Sequence, residues 1–251
     1  MPLILVTGST DGIGKETARQ LLSRGAQVIV HGRSEDRATA AARELEATSA
    51  WWADFSSLRE VRERAAELPA GIDVLINNAG IYTRSNARSA EGHELTFAVN
   101  HLAPFLLTEL MLEREKLQRI VNVASQVHQG GILDDLDRSS GFAAYAASKL
   151  ANVLVTFELA ARLEGTTANC LHPGVVGTKL LHAGFGGMSG PDSLSEGAAT
   201  SVHLALSKEV AGVSGKYFVR SREARPSPLA FDADARRRLW ESSEQMVRSA
   251  A

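Results

Sequence analysis

The chain has 251 residues, 44% hydrophobic and 22% charged, with 21 glycines and 7 prolines, a globular composition that excludes a disordered or fibrous protein. Its 27 basic and 29 acidic residues leave a formal charge of −2, which argues against a general binder of nucleic-acid backbones. A single cysteine, Cys170, excludes an internal disulfide or a Cys-caged zinc. No apolar run approaches the ~18 residues of a membrane span, and Met1-Pro2 leads straight into Leu3 without a basic leader, so a cytoplasmic protein is expected.

Leu3 to Val6 is apolar throughout, as expected of a central parallel strand covered on both faces. Thr17 to Ser23 reads as a helix with Gly25 as its stop. Val28-Ile29-Val30 is a second buried strand, after which Ser34 is placed to cap a helix rich in Ala, Arg and Glu. A strand near Ala50 to Ala53, a helix from Ser57 to Leu68 and a strand Val74-Leu75-Ile76 continue the rhythm. Two helices, starting near Glu91 and Pro104, precede the strand Ile120 to Val123. A helix from Ala144 to Leu163, a strand Ala168 to Leu171 and a last strand Lys216 to Val219 follow. This alternation, without repeats or linkers, predicts one α/β domain: a Rossmann-type doubly wound parallel sheet of about seven strands with helices on both faces.

The first strand empties into Thr7-Gly8-Ser9-Thr10-Asp11-Gly12-Ile13-Gly14 and then a helix. Glycines allow a tight turn and close approach of a pyrophosphate to free N–H groups at the helix start. The Gly-x-x-x-Gly-x-Gly spacing differs from the usual dinucleotide fingerprint. At the end of the second strand stand Gly32-Arg33-Ser34. An NAD site usually carries a carboxylate there, whereas the arginine fork suits a 2′-phosphate, although Arg33 taken alone would read as a solvated loop residue.

Tyr145 and Lys149 lie one turn apart on one helix face. An ammonium there favours the phenolate and is expected to pull the tyrosine pKa from ~10 towards neutral. Asn152 and Thr156 continue a polar stripe on an otherwise apolar helix, and Ser125 sits just beyond the fifth strand, where ligands of parallel sheets bind.

Taken together, Gly8 to Gly14, Asn77-Asn78-Ala79-Gly80, Asn100, Ser125, Tyr145/Lys149 and Pro173-Gly174 make the sequence resemble the short-chain dehydrogenase/reductase family over nearly its whole length. Ser148 to Leu154, Leu171 to Val176 and Gly215 to Phe218 are similar to its retinol dehydrogenase-like branch. The resemblance implies Tyr145 as proton donor to a carbonyl oxygen. Lys149 would tune Tyr145 and hold the nicotinamide ribose, Ser125 would bond the substrate oxygen, and Asn100 would position a water. It also implies that Asp54 and Phe55 contact adenine, that Asn78, Ala79 and Gly80 line the adenine ribose or else stabilise the sheet, and that Pro173, Gly174, Val176 and Thr178 wrap the nicotinamide. Gly8, Thr10, Asp11, Gly12, Ile13, Arg33 and Ser34 complete the expected cofactor set. The cofactor is expected to be NADP(H) rather than NAD(H), although Asp11 puts a carboxylate inside the turn.

The expected activity is interconversion of a carbonyl and an alcohol on a small apolar substrate. The alternatives are a non-catalytic cofactor-binding regulator, for which Tyr145 would be needless, and an epimerase or dehydratase on the same scaffold. The substrate pocket is expected from Gln126 to Gly131, Phe142 and Leu180 to Asp192, the last a glycine-rich lid. No metal, nucleic-acid or membrane partner is expected. Histidine 172 should pack beside Pro173, and Arg236-Arg237-Arg238 should form a solvated face. The apolar excess of the Pro104 and Tyr145 helices suggests a homodimer, unless the stretch from Asp134 to Ser140 lies over them.

Overall fold

Runs such as Leu-Ile-Leu-Val, with no polar alternation, need apolar cover on both faces, and the structure supplies it. In the computed structural model, which describes residues 1–134, 136, 139–184 and 190–249, the strands are β1 (Leu3–Val6), β2 (Gln27–Gly32), β3 (Ser49–Trp52), β4 (Val74–Asn77), β5 (Arg119–Val123), β6 (Thr167–His172), β7 (Lys216–Val219) and β8 (Arg222–Ala224). They form one sheet in the order β3-β2-β1-β4-β5-β6-β7-β8, parallel except for β8, which pairs antiparallel with β7. The strand order reverses between β1 and β4, the switch point where α/β sheets take their ligands.

The helices are α1 (Gly12–Ser23), α2 (Glu35–Leu45), α3 (Leu58–Ala65), α4 (Leu95–Phe97), α5 (Ala103–Arg114), α6 (Gly141–Arg162), α7 (Lys179–Gly184), α8 (Leu194–Leu206) and α9 (Ala233–Arg248). Ile4 and Val6 point to one layer with Leu21 of α1 and Val202 of α8, while Leu5 points to the other with Leu107 of α5 and Leu150 of α6. Both faces of β1 are thereby closed. The helix expected from Thr17 begins five residues earlier, because Asp11 caps Gly12 directly behind the glycine turn. Ser34 stands at the N-cap of α2, but its side chain makes no capping bond.

The two helices expected from Glu91 and Pro104 are instead one helical run, Leu95–Arg114, capped by Glu94 and passing from α4 to α5 through a π turn, Ala98–Leu102. Pro104 has no N–H for the carbonyl of Asn100, and Asn152 Nδ2 donates to that carbonyl instead, at 2.9 Å. By length and composition this run could cross a membrane, contrary to the expectation that no segment approaches that length, but 78% of its most apolar window is buried inside the protein. It is a core helix here.

Three elements were not anticipated. Helix α7 occupies the start of the segment expected as a lid. Helix α8 opens on a capping box between Ser193 and Glu196, a signal present in the sequence. Strand β8 has three residues and turns back through Arg220 and Ser221, both left-handed at φ 49° and 59°, where sequence usually shows glycine or asparagine.

The apolar surplus of α5 and α6 that suggested a homodimer is taken up within one chain. Helix α9 lies over both: Phe105 meets Trp240 edge-on at 4.9 Å, His101 Nε2 bonds Ser243 Oγ at 2.9 Å, and Leu239 and Val247 join the core. Helix α9 supplies cover, and of the stretch from Asp134 to Ser140 Leu136 packs against the same cluster, while residues 135, 137 and 138 lie outside the described residues. Arg236 is also not solvated. It bonds Glu158 of α6 at 3.2 Å and the Ala230 carbonyl at 2.9 Å.

Candidate active site

The glycine turn is held by side chains at the ends of three strands, β1, β4 and β2. Thr7 Oγ1 accepts the N–H groups of Asn78 (2.9 Å) and Ala79 (3.0 Å), and Asn78 Nδ2 donates to the carbonyls of Thr7 (2.8 Å) and Gly8 (3.2 Å). Gly8 is left-handed, φ +63°, and a Cβ on Gly14 would lie 2.3 Å from both Gly8 O and Asn78 Nδ2. Two glycines are therefore required by space and backbone conformation. The carboxylate of Asp11 accepts from Gly12 N at 2.8 Å and pairs with Lys179 of α7. Those contacts, Lys179 first, hold its pKa below the ordinary carboxylate value.

Beneath the turn lies His31, a residue whose role the sequence did not disclose. Its Nδ1 accepts from Gly8 N at 2.9 Å, so Nε2 carries the proton and donates to Ala53 O at 3.1 Å. The ring stacks on Phe55 (4.5 Å) beside Trp51 (4.9 Å), and burial lowers its pKa to about 4. Neutral His31 thus rivets the turn to the ends of β2 and β3. Arg33 and Arg37 are exposed at the rim of the same cavity. Arg37, one turn into α2, was not singled out from the sequence as a site residue, though its charge is felt at Asp11.

Tyr145 and Lys149 project from α6 beneath the end of β5. The hydroxyl of Tyr145 is hydrogen-bonded to the Ser125 side chain. Lys149 Nζ donates to the Val123 carbonyl at 3.0 Å and lies 5.7 Å from the centre of the Tyr145 ring. Burial raises the Tyr145 pKa to about 12 and lowers that of Lys149 to about 8. The tyrosine is therefore held as the neutral phenol, opposite to the downward pull expected from the spacing alone, because desolvation outweighs the lowering by the Ser125 hydrogen bond. Asn100 stands one layer behind: its Oδ1 accepts from Ile81 N (2.7 Å) and its Nδ2 donates to Ile81 O (3.0 Å) and Ser148 Oγ (3.1 Å). It clamps the segment just beyond β4 to α6.

On the far side, Gly174 (φ +94°) lets Asp192 reach Val175 N at 2.7 Å. Val176 and Ile13 pack against Gly197 of α8, where an added Cβ would meet them at 2.7 and 3.3 Å. His128 Nδ1 donates to Ser125 O at 2.6 Å while its Nε2 accepts from Ser227 N at 3.1 Å, so it fastens the Ser125 loop to the chain beyond β8.

One cavity of about 1170 Å³ joins these parts. Every expected catalytic or cofactor residue lines it except Asn100 and Ser34. Of the expected substrate pocket, Gln126, Val127, Leu180, Leu181 and His182 are in the wall, joined by His172, Val175 and Leu194. Phe142, 51% exposed, is not. Residues 185–189 of the expected lid lie outside the described residues.

A doubly wound sheet whose switch point carries a glycine cradle, with a serine, a tyrosine and a lysine at one end, is the design of a nucleotide-dependent dehydrogenase. The family model described as short chain dehydrogenase matches residues 2–185. Retinol dehydrogenase 13 of Homo sapiens is 39% identical over 277 residues, 97% of this chain and 84% of that protein. Among solved structures, an uncharacterised protein from Mycobacterium paratuberculosis superposes with a TM-score of 0.84 at 33% identity, covering 99% of this chain and 94% of that one. An NAD(P)-dependent gluconate 5-dehydrogenase from Beutenbergia cavernae, solved with NADP, gives 0.72 at 29% identity, covering 87% and 94%. The chain belongs to the short-chain dehydrogenase family, in its retinol dehydrogenase-like branch. It is therefore an oxidoreductase acting between alcohols and carbonyls with a nicotinamide cofactor.

Proposed function

We propose that the protein is an NADP(H)-dependent reductase of small apolar carbonyl compounds, with Tyr145 as the general acid. The observation that carries this reading is the bond between the Tyr145 and Ser125 hydroxyls, with the Lys149 ammonium behind them in the glycine-lined cavity.

The residues fit such a cofactor. The close approach at Gly8 and Gly14 leaves the first turn of α1 open to a pyrophosphate. Arg33 and Arg37 offer two cations for a 2′-phosphate, and no carboxylate stands at the end of β2. Asp11 is engaged by Lys179 and Gly12, a pairing that offsets its charge and supports a turn compatible with that phosphate. Lys149 would hold the nicotinamide ribose, and Val176 and Thr178 the ring. When bound, the cofactor supplies a hydride to the carbonyl carbon. Ser125 donates a hydrogen bond to the substrate oxygen, and Tyr145, protonated at neutral pH, gives that oxygen its proton. The resulting phenolate is stabilised by the Lys149 ammonium nearby. A tyrosine held as the phenol suits reduction better than alcohol oxidation. Val127, Leu180, Leu181 and Leu194 give the substrate end an apolar wall.

Turnover is measured as NADPH oxidation with hexanal, nonanal, benzaldehyde and acetophenone. Tyr145→Phe should lower the rate about 10²- to 10⁴-fold while NADPH still binds. A variant as fast as the wild type, or no turnover of any of the four, would overturn the proposal.

A further inference from the structure

Tyr82, five residues beyond the end of β4, is not among the residues lining the cavity, yet it touches the general acid and α7 at once. Its ring meets the Tyr145 ring edge-on, with centres 5.7 Å apart and planes at 61°. On its other side is Gly184, the last residue of α7, where an added Cβ would lie 3.1 Å from Tyr82 Cγ and Cδ2. Two residues on, Arg84 Nε donates to Ala183 O at 3.1 Å, so the same segment grips the last turn of α7 twice. At its other end α7 is tied to the glycine turn by the Lys179–Asp11 pair. None of the six residues of α7 is buried, so among the described residues its hold on the fold is weighted towards these end contacts.

We infer that Tyr82 is a positioning residue for Tyr145, through which the docking of α7 across the cavity reaches the general acid. This rests on the proposed role of Tyr145. Helix α6 fixes the backbone of Tyr145, but a phenol ring still needs neighbours to fix its side-chain torsions. Ser125 bonds its hydroxyl, and Tyr82 packs its ring in a geometry that aromatic pairs favour. Glycine at 184 lets α7 close onto Tyr82 without pushing it. A side chain there would have to displace the Tyr82 ring by some tenths of an ångström, and the Tyr145 ring with it. Docking at α7, and the state of the glycine turn to which Lys179 binds it, are thereby transmitted to the proton donor.

The test uses the full chain with NADPH and the same carbonyl probes, comparing Tyr82→Phe, Tyr82→Leu, Gly184→Ala, the Tyr82→Leu/Gly184→Ala double variant and Tyr145→Phe. Tyr82→Phe keeps the ring and should stay within about twofold of wild type. Tyr82→Leu should lower kcat about tenfold with KM for NADPH nearly unchanged. It should also move the Tyr145 limb of the kcat–pH profile to lower pH, because water reaches the phenol. Gly184→Ala should lower kcat about threefold on its own and cause no further loss in the Tyr82→Leu background. If the two losses multiply, if Tyr82→Phe falls as far as Tyr82→Leu, or if the pH limb does not move, Tyr82 does not position Tyr145. With Tyr145→Phe inactive, such a result overturns this inference alone. If Tyr145→Phe retains full turnover, the proposed function falls and the inference with it.

Discussion

The rivet at His31 makes stability fall with acid in a way that one substitution should remove. In the folded chain the ring is fully buried and titrates at about 4 instead of the ordinary 6.5, chiefly through desolvation. Above pH 6.5 both folded and unfolded states hold it neutral, and its bonds to Gly8 and Ala53 are intact. Below 6.5 the unfolded chain takes up a proton that the folded chain refuses. Each pH unit then costs the fold ~1.4 kcal/mol, or about 3 kcal/mol in all by the time pH reaches 4. His31→Gln keeps a donor for Ala53 but deprives the part-buried Gly8 N–H of its acceptor, which should cost about 1 kcal/mol at neutral pH. The variant does not titrate, so its deficit against wild type should shrink as pH falls from 6.5 to 4. Urea unfolding at pH 7, 6, 5 and 4 measures that gap directly. His101, also lowered to about 4 by burial, is unchanged in both proteins and cancels from the difference. A gap that stays constant across the series would refute a neutral, buried His31 beneath the turn.

The geometry sets three further outcomes. Arg33→Ala and Arg37→Ala should each cut the NADPH preference in kcat/KM about tenfold or more, with little effect on NADH. An unchanged NADPH/NADH ratio in both variants would remove the arginines from cofactor choice. Because α9 covers α5 and α6, light scattering should give one chain, 26.8 kDa, and Trp240→Ala should destabilise the fold by about 3–5 kcal/mol. A mass of twice that value would show that another face carries a homodimer.

What the sequence determined by itself was whatever is written locally. Apolar runs without alternation marked the strands, since a parallel strand covered on both sides leaves no other pattern. Glycine spacing after β1 located the cradle, and the four-residue interval put Tyr145 and Lys149 on one face of α6. Helix α8 could have been read from Ser193 and Glu196, whereas β8 carried no signal in its turn residues. The tertiary structure decided everything that depends on partners far apart in the chain. His31 was an undistinguished strand residue until Gly8, 23 positions away, was found to donate to it. The surplus apolar surface of α5 and α6 looked like an interface because sequence cannot say that Trp240 will pack on Phe105. The direction of the Tyr145 pKa turned the same way: spacing shows the nearby lysine, but desolvation is set by all the chain that surrounds the ring, and it outweighs the hydrogen bond from Ser125.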